Sequence, residues 1–173
     1  MFARDALLPW RTAQKNVEFA LEIRYPSLSR AERSARALRA LDQVGLKESA
    51  NFFPWQLSQG MRQRTALART WAIEPTLLLM DEPFAALDAQ TRTSVQEHFL
   101  DVWSSDRKSV VFVTHDITEA ILLADRIVVM SKGRVVDETA VNIPRPRRHD
   151  DLVESNEFRE LHHRLISSIR SST

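Results

Sequence analysis

From Asn16 to Pro75 the apolar residues recur every three or four positions, the period of helices that bury one face. Ser29-Arg30-Ala31-Glu32 has capping-box spacing. Ala31, Ala35, Leu38 and Leu41 are the expected buried stripe of the helix that follows, with Gly45 at its end. Around Asn51-Phe52-Phe53-Pro54-Trp55 the period is lost. Ser58 then reads as the N-cap of a further helix in which Met61, Thr65, Ala68 and Ala72 share a face, and Pro75 closes the segment.

Beyond Pro75 the pattern changes to strands. Thr76 to Met80 and Ser109 to Thr114 are short apolar runs of the kind that form buried strands. Between them, Ala89 to Trp103 is helical with Val95, Phe99 and Val102 inward. Strand, helix and strand in succession predict a parallel pair. Asp116 to Ala124 predicts a short helix with Ile117, Ile121 and Ala124 in register, and Arg126 to Asp137 a hairpin turning at Lys132-Gly133. Asn142 to Asp151, rich in proline and arginine, reads as a solvated linker before an amphipathic helix that carries Phe158, Leu161, Leu165 and Ile169. The expected organisation is therefore a helical segment over 1–75, a strand-bearing core over 76–139, and a linker with a terminal helix over 140–173.

At 173 residues the chain can bury a core, and its formal net charge of +1 gives no general attraction to nucleic acid or anionic membranes. Asp150 and Asp151 dilute the arginines of Pro144-Arg145-Pro146-Arg147-Arg148, so no nucleic-acid partner is expected. The absence of cysteine excludes disulfides, thiolate metal sites and cysteine nucleophiles. Met1-Phe2-Ala3-Arg4-Asp5 lacks a signal-peptide core, and no apolar run approaches the roughly 18 residues of a spanning helix. Membrane association is expected to run through another protein. The three glycines, Gly45, Gly60 and Gly133, leave no room for a G-x-x-x-x-G-K-[ST] phosphate loop.

Chemistry concentrates at two places. The run Leu77-Leu78-Leu79-Met80 delivers Asp81 and Glu82 to a strand end, where open α/β sheets place their ligand sites. Leu57-Ser58-Gln59-Gly60-Met61-Arg62-Gln63-Arg64 places a capping serine at a helix N-terminus, whose free N–H groups and partial positive charge suit a phosphate. Together the two motifs resemble the ABC-type ATPases. The second is similar to their LSGGQ signature, and closer to the LSGGMRQR variant of importers of the nitrate, sulfonate and taurine type. Ala6-Leu7-Leu8-Pro9-Trp10-Arg11-Thr12 matches the segment that follows the Q-loop in that group, and the arginine-proline stretch matches its end.

The resemblance implies an α/β fold, the C-terminal part of a P-loop ABC ATPase domain: a partial parallel sheet with flanking helices plus a helical subdomain. It implies ATP and Mg²⁺ as cofactors, with Asp81 on the metal, Glu82 orienting the attacking water and His115, after Val110-Val111-Phe112-Val113-Thr114, at the γ-phosphate. Ser58, Gln59 and Gly60 would meet nucleotide held by a second ATPase subunit, and Asp88 of Phe84-Ala85-Ala86-Leu87-Asp88 would sit in the D-loop crossing that interface. Two positions depart from the pattern: Gln59 stands at the first glycine, and Ala3 where the Q-loop glutamine belongs.

The implied function is that of the ATP-binding and hydrolysing subunit, in fragment form, of an importer for a small anion or sulfonate-like solute. Its implied partners are membrane permease subunits and, indirectly, a solute-binding protein, at the cytoplasmic face of the membrane. The expected explanation of the missing phosphate loop is a truncated or misplaced reading frame, with exposed apolar surface and no strong ATP binding by the chain alone. The alternatives are an inactive half that lends only its signature motif in trans, or a soluble ABC protein of DNA repair or translation.

Overall fold

The computed structural model describes residues 6–171. Ala3, the Q-loop position, lies outside them. The described chain is mixed α/β and separates into two compact units, one ending at Val111 and the other starting at Phe112.

The first unit opens with helix α1 (Ala13–Arg24), capped by Thr12, whose hydroxyl accepts from the Lys15 amide at 3.3 Å. Asn16, fully buried, accepts from the Leu8 amide at 2.7 Å and donates to the carbonyls of Leu8, Arg11 and Thr12. The Leu8-Pro9-Trp10 loop is thereby tied to α1. Helix α2 (Arg30–Gln43) starts with the expected reciprocal capping box between Ser29 and Glu32. Of its expected buried stripe Leu41 is fully buried and Leu38 half-buried, but the face is shifted. Ala31 and Ala35 are exposed, and Ala37, Ala40 and Leu41 turn inward with Val44, a stripe at the same spacing rotated onto α1 and the following helix. Two short 3₁₀ turns, Lys47–Ser49 and Pro54–Gln56, carry the aperiodic aromatic stretch. The Ala13 and Gln14 amides donate to the carbonyls of Phe52 and Ala50, so this stretch lies against the start of α1.

Helix α3 (Gln59–Trp71) packs on α1, α2 and helix α4 (Ala89–Ser105). Ser58 is its N-cap, as the sequence predicts. Strand β1 (Leu77–Asp81) pairs with β2 (Ser109–Val113) in a two-stranded parallel sheet, with α4 as the crossover. The strands are only half-buried, against the expectation for apolar runs. Leu78 and Met80 point into the core, whereas Leu77 and Leu79 are 49% and 62% exposed, and Val111 and Val113 repeat that outward row on β2. A strand alternates faces, and among the described residues the Leu78 and Met80 face of β1 is buried while the Leu77 and Leu79 face is exposed.

The second unit holds helix α5 (Ile117–Leu123), the antiparallel hairpin of β3 (Arg126–Ser131) and β4 (Arg134–Ala140), and helices α6 (His149–Glu154) and α7 (Asn156–Arg170). Lys132 and Gly133 turn the hairpin with successive positive φ angles of 48° and 75°, the twist that suits a two-residue connection. The segment expected to be a solvated linker is in fact a strap. Arg147 is buried and donates to five backbone carbonyls, those of Ile121, Leu122, Ala124, Val141 and Ile143. Burial lowers its pKa to about 10, which leaves it charged at neutral pH.

Helix α7 covers the hairpin through Phe158 and Leu165, and Asp137 of β4 accepts from Arg164 and Ser168. Those hydrogen bonds hold the Asp137 carboxyl below its usual range. A carboxylate with a depressed folded pKa contributes stability that is present above its unfolded value and lost as pH falls through the folded one. Hydrogen exchange followed by mass spectrometry is expected to show α7 loosening from β4 as the pH drops below about 4, and Asp137→Asn is expected to abolish that pH dependence.

Candidate functional site

Asp81 ends β1 at the surface, and Glu82 leaves the strand with φ 43°. That region disfavours any residue with a side chain, at a cost of order 1–3 kcal/mol, and persists only where neighbours over-determine it. Here Pro83 and Phe84 are buried immediately afterwards, and Phe84 meets Phe99 of α4 edge-on at 6.3 Å between ring centroids. Leu87 is buried, and Asp88 caps α4 by accepting from the Thr91 amide at 3.0 Å, which with the Thr91 hydroxyl keeps its carboxyl below the ordinary range.

The start of α3 lies against this turn. Ser58 Oγ accepts from the Met61 amide at 3.2 Å, and a hydroxyl that accepts still has its own O–H to donate. The amides of Gln59 and Gly60 have no partner inside the helix and carry the positive end of its dipole. Gly60 also has a packing role: a Cβ there would stand 2.6 Å from Thr91 Cγ2, so a larger residue would have to push the Thr91 side chain aside. Gln59 Nε2 donates to the Ala86 carbonyl at 2.6 Å, and the buried Gln63 side chain donates to the Pro83 carbonyl.

Ser58, Gln59, Gly60, Asp81, Glu82 and Asp88 thus all belong to the first unit, and the fold brings the start of α3 onto the Glu82–Asp88 turn. His115 follows β2 in the second unit, exposed, one residue before Asp116, which caps α5 through the Glu119 amide at 3.1 Å. Sequence reasoning missed three supporting residues. Gln63 stands within the quoted signature and was given no task, whereas Thr91 and Asn16 look like ordinary helical polar residues until their partners are seen.

The donor set fits one side of a phosphate: a hydroxyl and two helix-terminal amides. The rest of a triphosphate cradle does not come from this sequence, which lacks a glycine-rich lysine loop. Among the described residues no cluster of three or more Asp, Glu or His could cage a metal ion.

Comparisons with known proteins bear on the family of the chain. Residues 1–85 match the family model described as ABC transporter. The chain is 41% identical over 98% of its length to an ABC transporter ATP-binding protein of Methanocaldococcus jannaschii, covering 62% of that protein. It is 48% identical over 87% of its length to the aliphatic sulfonates import ATP-binding protein of Mycobacterium sp. (strain MCS), covering 61% of it. A solved ATP-binding cassette, dimeric in a post-hydrolysis state with ADP and Pi bound, superposes with a TM-score of 0.68 at 37% identity, over 82% of this chain and 62% of that one. The chain spans about three-fifths of the length of these proteins. With its acidic strand end, its serine-capped helix and relatives of this kind along nearly its whole length, the chain belongs to the ABC transporter family of ATP-binding proteins.

Proposed function

We propose that this chain is the part of an importer ATPase that carries its signature helix and catalytic carboxylates, working at the cytoplasmic face of a membrane. The observation that carries the reading is the left-handed Glu82, placed directly after Asp81 and leading into a turn whose Pro83 and Ala86 carbonyls accept from side chains of the signature helix. ATP supplies a γ-phosphoryl group for transfer to water. In this reading Glu82 orients that water, Asp81 faces the metal, and His115 contacts the transferred group. Ser58, with the Gln59 and Gly60 amides, stabilises charge on a nucleotide held by a second ATPase subunit.

Attachment to membrane permease subunits is supported by apolar surface near the start of α1. Trp10 and Trp55 are 71% and 75% exposed, and Phe52, also exposed, is pinned to Ala13 through its carbonyl. No helix among the described residues is long and apolar enough to cross a membrane. The sulfonate specificity in a relative's name suggests a small anionic solute, brought by a solute-binding protein.

Titration with a fluorescent ATP analogue is the test. The chain alone is expected to show no saturable binding in the micromolar range, because its donors reach only one side of the phosphates. Addition of a second ATP-binding subunit bearing a glycine-rich lysine loop is expected to restore micromolar binding that Ser58→Ala weakens about tenfold. Micromolar affinity in the isolated chain, or indifference to Ser58→Ala, refutes the reading.

A further inference from the structure

Six carbonyl oxygens of the turn from Glu82 to Asp88 accept hydrogen bonds. The Glu82 and Phe84 carbonyls accept from the amides of Ala85 and Leu87 at 3.3 and 3.1 Å. Those of Leu87 and Asp88 accept from Arg92 of α4, through its side chain at 2.9 Å and its amide at 2.8 Å. The carbonyls of Pro83 and Ala86 accept from the Gln63 and Gln59 side chains of α3. The turn's own amides and α4 alone would leave the backbone beside the strained Glu82 without these two restraints. Gln59 and Gln63 are four positions apart, so they share a face of the helix.

We propose that Gln59 and Gln63 are positioning residues, forming a two-point clamp that fixes the Glu82–Asp88 turn to the start of the signature helix. The inference rests on the proposed function only for its consequence, namely that the clamp holds the carboxylate that orients water. The glutamine at the first glycine position of the signature is then a working strut. It joins the helix start, offered to one nucleotide, to the carboxylate turn that serves another. An amide side chain supplies the N–H donor that glycine lacks.

The test is hydrogen exchange, read by mass spectrometry on the peptide spanning 83–88, in the chain without nucleotide. Gln59→Met removes the donor and keeps the reach. Exchange of the Ala85 and Leu87 amides is expected to speed up roughly threefold to tenfold, the scale of one net hydrogen bond, while exchange in α1 and α2 and the melting temperature stay unchanged. Gln59→Lys, which returns an N–H donor, is expected to recover most of the protection. Unchanged exchange in Gln59→Met, or equal exchange in the Met and Lys variants, overturns the clamp. Gln63→Met is expected to act in the same direction. Because Gln63 is buried, a failure of that variant to fold would leave the decision to the exposed Gln59 pair. Failure of the functional reading shows separately, as absent nucleotide binding with a second subunit while the clamp result stands.

Discussion

Replacement of Phe84 by alanine is expected to lower stability by about 3–5 kcal/mol, the usual cost of emptying a fully buried aromatic site. Phe84 is fully buried, and its ring packs edge-on against Phe99, a geometry that adds to the simple burial of area. Thermal melting of the purified chain is the measurement. Against a total stability of about 5–15 kcal/mol for an ordinary domain, such a loss removes a large share of the margin. Phe84→Leu, which refills most of the volume, is expected to recover more than half of the loss. The effect reaches beyond stability, since Phe84 stands two residues after Glu82 and four before Asp88. A cavity there removes the anchor around which the turn is wound.

The second large effect is expected at Arg147. Arg147→Met keeps much of the side chain's bulk but strips the donors from five carbonyls, three of them at the C-terminal end of α5. Buried acceptors left without donors cost about 1–3 kcal/mol each, and water reaching some of them brings the expected total to roughly 3–5 kcal/mol. At this chain length that corresponds to a fall of roughly 6–20 °C in melting temperature. Lysine cannot replace the flat five-donor fork and is expected to recover only a minor part. Proteolysis is expected to cut the strap between Val141 and Arg148 in Arg147→Met and to spare it in the parent chain.

These two residues also mark what could and could not be read in advance. Elements with strong local signals were legible: the Ser29–Glu32 capping box, the Ser58 cap, α4 with Val95, Phe99 and Val102 inward, and the turn at Lys132-Gly133 all stand where periodicity and turn chemistry place them. Where several faces compete for burial, the period alone was too weak. The rotated stripe of α2 and the half-buried β1 depend on which neighbours pack against them, and a sequence window does not contain those neighbours.

Arg147 was misread because charge and proline usually signal solvation. Only the fold shows that α5 and the strap converge on its guanidinium. At the candidate site the carboxylates and the capping serine were visible as motifs. The left-handed Glu82 and the grip of Gln59 and Gln63 depend on contacts across 20 or more residues of chain, which no spacing rule reports.

The outward rows of β1 and β2 carry one more consequence. Leucines and valines that already meet water in the native chain contribute little when it unfolds, because the heat-capacity step and the steepness of a urea transition both scale with newly wetted surface. Heat and denaturant therefore act on this chain as on a smaller protein. A second polypeptide layer closing over those rows would sharpen both responses without any change inside the present core.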